Sequence, residues 1–376
     1  MANAGFQAES AANTAAKERK FPCKACGADL VFAPGQDHLT CPYCKHEEKV
    51  PQTEAEIKEY SFNDYLAKPR GRGYGKTAGR DVRCGGCGAL THLDASVRAT
   101  TCAFCGAPLL MDDQPAAADG EEVIAPEALV PFLVSAEQAQ GAFRKWIASL
   151  WFAPNALKRE SHLKQLQGVY RPFWTYDAHT VSHWTGERGD YYYVTEHYTT
   201  TENGKTVTRT RQVRHTRWTF VSGVYANFFD DVLIAAGKVI DFATTYNLGG
   251  LKPYLAEYLS GFVAERYVVS CEDGWVRAKE VIAGEIHSAV RDRIGGDEQR
   301  VHSINTAYSG ITYKHILLPL WLSSYRYGNK TYSFQVNGQS GAVAGARPYS
   351  FWKILFLVLS ILAAIGVVVL LANMKH

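Results

Sequence analysis

The chain has 376 residues, with 40 Lys+Arg against 37 Asp+Glu and a formal net charge of +3, so charge alone marks neither a nucleic-acid binder nor a lipid-surface binder. Hydrophobic residues make up 47%, which excludes a wholly disordered chain and leaves room for a sizeable core. The polar, Ala-rich start has no apolar h-region, so the nine cysteines are read in a reducing compartment and not as a secreted disulfide framework.

In chain order, residues 1–20 read as a disordered tail. Residues 21–50 carry Cys23, Cys26, Cys41 and Cys44, a C-x2-C pair, fourteen intervening residues, and a second C-x2-C pair. A tight turn lets both sulfurs of a C-x-x-C face one metal, and a spacer of roughly 12 to 20 residues lets a hairpin bring the second pair back. His38 and His46 lie among these cysteines but are not needed as ligands when four sulfurs are present. Thr53-x-x-Glu56 reads as a capping box that opens a short helix bearing Ile57, Tyr60, Phe62 and Tyr65. A basic glycine-rich linker, Lys68 to Arg80, completes residues 51–81. Its Gly75-Lys76-Thr77 is not a phosphate-binding loop: Arg70 stands where that pattern needs glycine, and no strand precedes it.

Residues 82–110 repeat the cysteine pattern as Cys84, Cys87, Cys102 and Cys105, sixty-one residues downstream and with matching context: Cys26-Gly27-Ala28 against Cys87-Gly88-Ala89. Both sets predict closed four-thiolate zinc ribbons holding two structural zinc ions. Neither leaves a position open for substrate. His92 lies within the second set and is expected to be solvated. An acidic linker follows at 111–125.

Residues 126–347 predict an α+β domain with a mostly antiparallel sheet. The periodicity gives a helix over 136–150, a strand from Gly168 to Trp174, and a long hairpin turning at Asn203-Gly204. Helices are expected around 228–238, 251–260 and 274–294, then strands from 299 to 343 broken at Gly328-Asn329 and Asn337-Gly338. The phrases Tyr170-Arg-Pro172-Phe-Trp174 and Leu317-Leu-Pro319-Leu-Trp321 look like two related strands meeting in one sheet. Cys271 reads as a buried small hydrophobe in an apolar strand, and His179, His183, His197 and His215 as surface or cross-strand residues. No G-x-S-x-G or H-E-x-x-H motif is present, so no catalytic residue is assigned and no small-molecule substrate is expected.

Residues 354–372 run nineteen positions without a charge inside a transmembrane helix bounded at 351–373. At ~1.5 Å per residue that is about 28 Å, close to the ~30 Å hydrocarbon core. Thiolate ligands and the Lys/Arg flanks together place the N-terminal bulk in the cytoplasm, on a single-pass tail anchor in the inner membrane.

Taken together, the paired ribbons, the RPFWTYDA, LLPLWLSSYRY and TYSFQVNGQSG phrases and the terminal span resemble the bacterial membrane-anchored double zinc-ribbon proteins, TFIIB-type-like in their cysteine clusters. These are often mislabelled as replication-restart helicase, primosomal protein N′. This chain lacks the helicase motor motifs. The resemblance implies a non-enzymatic adaptor that recruits a phage-shock protein A or band-7 homologue to the cytoplasmic face of the membrane in envelope maintenance. The alternative is a membrane-tethered nucleic-acid binder using Lys17, Arg19, Lys20, Lys24, Arg70, Arg72 and Lys76.

Overall fold

The computed structural model describes residues 21–51, 55–67, 80–85, 90–93, 99–102, 108–110, 124–155, 157, 166–202, 205–237, 245–327 and 330–373. The basic linker at 68–79 and most of the acidic linker at 111–123 lie outside them.

Three strands dominate. β10 (Gln167–Glu202) and β11 (Lys205–Ala235) pair antiparallel from Phe173↔Ala235 to Glu202↔Lys205; the expected Asn203-Gly204 turn lies outside the described residues. β14 (Glu298–Tyr327) flanks the other edge of β10 from Gln167↔Leu322 to Gly189↔Glu298. At ~3.3 Å per residue β10 is on the order of 100 Å long. A helix, α3 (Cys271–Ile294), lies along one face of this ribbon. Its Cys271, Trp275, Ala278, Ile282, Ile286, Val290 and Ile294 recur at helical spacing and are all buried. The strand alternates to match: Ala178, Thr180, Ser182 and Trp184 are buried, while His179, Val181 and His183 are exposed on the open face. Among the described residues, only β10 and β11 continue beyond Gly189, as a two-stranded arm.

The two similar phrases do meet in the sheet, with Tyr170 opposite Pro319 and Pro172 opposite Leu317. The likeness extends to whole units. The first unit comprises β9 (Ala128–Leu129), α2 (Ala136–Ser149), β10 and β11; the second comprises β13 (Val263–Glu265), α3, β14 and β15 (Lys330–Asn337). The short strands are exchanged. β9 pairs parallel with β14 (Ile316↔Ala128), and β13 pairs parallel with β10 (Val169↔Val263). Ser135 caps α2 and Ser270 caps α3. Trp174 Nε1 donates to Val269 O at 2.9 Å, and Trp321 Nε1 to Val134 O at 2.8 Å. Each tryptophan thus anchors the residue before the other unit's cap.

This duplication explains two prolines that a central strand would ordinarily reject. Pro172 falls between the stretch of β10 paired to β13 and the stretch paired to β11; Pro319 falls between the β9 and β15 stretches of β14. Ala236 N donates to Pro172 O at 3.0 Å, but the Ala236 carbonyl accepts from Val268 and Val269 N instead of a proline amide. Gly338 N donates to Pro319 O, and its carbonyl likewise accepts from Leu133 and Val134 N. The missing donors fall where the strand changes neighbours, so no acceptor is stranded.

The cysteine-bearing regions are not separate bodies. Leu30, Phe32, Leu39 and Val50 share one hydrophobic cluster with Phe132, Phe143, Tyr170 and Trp321. Phe32 N donates to Ser260 O and Gly35 N to Phe132 O. In the second region β5 (Arg80–Arg83) and β6 (Leu90–Leu93) extend the main sheet, β6 pairing with β13 through His92↔Ala264.

Several expectations are corrected. Residues 228–235 are strand: pairing with β10 overrides their helical apolar spacing, and a register shift between Tyr176 and Ala178 absorbs the phase change. Residues 251–260 hold only β12 (Lys252–Pro253), paired with β9, and a 3-10 turn, Ala256–Leu259; Pro253 disfavours the helical conformation at Lys252. Near 53–65 the chain forms β4 (Tyr60–Ser61) and then α1 (Phe62–Ala67), with Ser61 Oγ accepting from Asp64 N at 3.3 Å; residues 52–54 lie outside the described ones. Cys271 opens a helix and does not sit in an apolar strand.

Candidate metal centre and membrane helix

The first cysteine set lies on two turns built alike. Pro22 pairs with Asp29 around Cys23 and Cys26, and Thr40 pairs with Glu47 around Cys41 and Cys44. In the first turn Cys23 N donates to Ala28 O at 2.7 Å and Gly27 N to Cys23 O at 2.8 Å; in the second Cys41 N donates to His46 O at 2.8 Å and Lys45 N to Cys41 O at 3.1 Å. The residue after each second cysteine is left-handed, Gly27 at φ 78° and Lys45 at φ 62°. Glycine adopts that conformation freely, but lysine there is strained.

The turns bring the four sulfurs within 4.8 Å of one another. Cys23 Sγ lies 3.5 Å from Cys44 Sγ, and Cys26 Sγ lies 3.5 Å from Cys41 Sγ. A disulfide needs ~2.05 Å, whereas a tetrahedron with ~2.3 Å metal–sulfur bonds has edges of about 3.8 Å. The spacing therefore fits four thiolates around one ion. Backbone N–H groups of Cys44 and then Tyr43 pull the Cys41 thiol down to about 6. Cys44 receives the N–H of His46, yet crowding by the other sulfurs pushes it up to about 12. Four thiols this close cannot all ionise unless a cation joins them.

Neither nearby histidine joins the set. His46 Nε2 faces Glu48 at 3.6 Å, and His38 lies between Asp37 at 3.7 Å and Glu47 at 3.6 Å. Lys24 Nζ meets Glu48 Oε2 at 2.6 Å, tying the first turn to the second and holding the Glu48 carboxyl below its ordinary range. That pairing also engages Lys24; the other six basic residues of the nucleic-acid alternative lie outside the described residues.

The second set repeats this register, with Arg83 opposite Leu90 around Cys84 and Cys87, and Thr101 opposite Pro108 around Cys102 and Cys105. Both pairings lie sixty-one residues after their counterparts. In each set the first cysteine of a pair is buried: Cys23 and Cys41, then Cys84 and Cys102. Cys84 and Cys102 share a cluster with Val169, Leu320 and Leu322; Cys87 and Cys105 lie outside the described residues.

The chain is similar to the uncharacterized protein YdjG of Bacillus subtilis (strain 168). Identity is 27% over 353 residues, covering 89% of this chain and 91% of that protein. No protein-family model matches the chain, and no solved structure matches it.

The C-terminal helix α4 (Phe351–Asn373) is long and apolar enough to cross a membrane, and none of Phe351–Val368 is buried against the rest of the molecule. A helix of a soluble core would be covered. At its start, Lys353 Nζ donates to Trp151 O at 3.1 Å, Ala153 O at 2.8 Å and Asn155 Oδ1 at 2.8 Å.

Buried polar groups elsewhere serve the fold. Lys314 Nζ bridges Asp231 Oδ1 at 2.8 Å and Glu59 Oε1 at 2.9 Å, while Asp177 accepts from Thr312 Oγ1 and from Asp231 N at 2.7 Å. Asp177, Asp230 and Asp231 lie close enough to share a cation; Lys314 already supplies positive charge there, and the group fixes the bulge of β11 opposite Asp177. Burial pushes the Cys271 thiol up to about 12, which makes it inert as a nucleophile. Sequence reasoning missed the aromatic base around Lys353 and the Arg171–Glu265 pair. The Trp-Phe-Ala-Pro loop at 151–154 was a readable signal for the first. The second had none, because its partners are ninety-four residues apart.

Proposed function

We propose that each cysteine set holds one structural zinc and that the protein is a non-enzymatic, tail-anchored adaptor. It holds a phage-shock protein A or band-7 homologue at the cytoplasmic face of the inner membrane. The observation that carries this reading is a long two-stranded arm on a body that also bears a membrane-spanning-length helix. The membrane helix joins the body beside the loop following α2, whereas β10 and β11 run on past Gly189, where β14 ends, to Glu202 and Lys205. Arg211 stacks over Tyr198, Arg214 over Tyr191 at 4.2 Å, and Arg217 over Tyr192. Preset arginine and tyrosine side chains are those that dominate protein interfaces, and unpaired strand edges offer backbone groups to a partner.

Two deletions test this. Removing residues 351–376 should release both protein and partner to the cytosol. Replacing 191–216 by Asn-Gly should leave the protein membrane-bound and zinc-loaded but free its partner. A partner that stays on the membrane in both cases refutes the adaptor reading.

A further inference from the structure

Of the eight tryptophans, only Trp151 and Trp352 are more than a third exposed, at 74% and 76%, and both lie at the base of α4. Tyr349 and Phe351 beside them are exposed as well. Four aromatics open to water in one place would waste apolar area. Indole and phenol rings combine an apolar body with a polar edge, which suits the layer between hydrocarbon and headgroups.

The connection at this point is stiff. Ser350 N donates to Phe152 O at 2.7 Å, and the three oxygens from the Trp151–Asn155 loop take up the Lys353 ammonium. A lysine one turn into a membrane helix would otherwise extend toward lipid phosphate. Here it staples the loop that carries Trp151 to the helix that carries Trp352. Arg347, stacked over Tyr349 at 5.6 Å, adds a positive charge just outside the span.

Resting on the membrane-anchor reading, we propose that the Leu150–Asn155 loop and the base of α4 form one lipid-contacting seat. The body then rests on the headgroup region of the bilayer that α4 crosses, instead of swinging from a tether. The occupant is the lipid surface, because the patch is continuous with a helix that exposes large apolar side chains from Phe351 to Leu371.

The test places p-benzoylphenylalanine at Trp151, at Ser360 inside the span, or at Val224 on the open sheet face of the full-length protein. Each is reconstituted in phosphatidylethanolamine–phosphatidylglycerol vesicles and irradiated. Lipid adducts read by mass spectrometry are expected at 151 and 360 and not at 224. Adding Lys353→Met should cut the yield at 151 at least threefold and leave 360 unchanged. Adducts at 360 without any at 151, or adducts at 151 only to a second protein chain, overturn the seat. Absence of lipid adducts at 360 overturns the membrane anchor itself, and the seat with it.

Discussion

Removing the guanidinium of Arg171 would take a buried cation away from the Glu265 carboxylate where water hardly reaches. The two side chains are 2% and 0% exposed, with Nε 3.2 Å from Oε2, and the carboxylate sits so close to Gly237 that a Cβ there would come 2.5 Å from Oε2. At an effective dielectric of ~20, unit charges at this separation attract by about 5 kcal/mol. Desolvating each ion costs several kcal/mol, so the intact pair is near break-even, while breaking it costs about 3–5 kcal/mol. Arg171→Met should therefore lower the unfolding free energy of the detergent-solubilised chain by that amount in urea, followed by tryptophan fluorescence. Glu265→Leu combined with Arg171→Met should restore most of the loss. A loss below about 1 kcal/mol for the single variant, or a double variant whose loss is the sum of the two singles, refutes the argument.

Elemental analysis of the purified protein should find two zinc ions per chain, and one after Cys41→Ser. Lys45→Gly relieves the left-handed strain and should raise stability by up to about 1 kcal/mol; Gly27→Lys should lower it, and thermal unfolding of the two variants compares them. Lys314 holds the Glu59 carboxyl below its ordinary range. Its stabilisation is therefore present above the unfolded value of about 4.3 and is lost as pH falls through the lower folded value. Glu59→Gln should flatten that part of the stability-against-pH curve, and an unchanged acid limb would refute the pairing.

Local chemistry made some of the fold readable. The hairpin pairing that ends at Glu202↔Lys205, the Ser-capped helix over 136–149 and the helix ending before Gly295 follow from residues acting over a few positions. The four sulfurs of Cys23, Cys26, Cys41 and Cys44 meet as their spacing implied. Residues 228–235 fit both periods, because Phe229, Val232 and Leu233 also make a helical stripe; only the partner strand, more than fifty residues earlier, decides between them. Leu133-Val134-Ser135 and Val268-Val269-Ser270 repeat in plain view. Their meaning rests on which tryptophan each one receives, and that is a property of the exchange between units.

The exchange has a temporal consequence. β10 emerges early in synthesis but needs β13 and β14, and β14 in turn needs β9. Neither half can complete its sheet from its own residues, so pairing over such separations makes folding slow. The fold closes only once β15, ending at Asn337, has been made, and the membrane helix begins soon after at Phe351. A chain cut between the two units should yield halves that fold only together, each holding the short strand the other lacks.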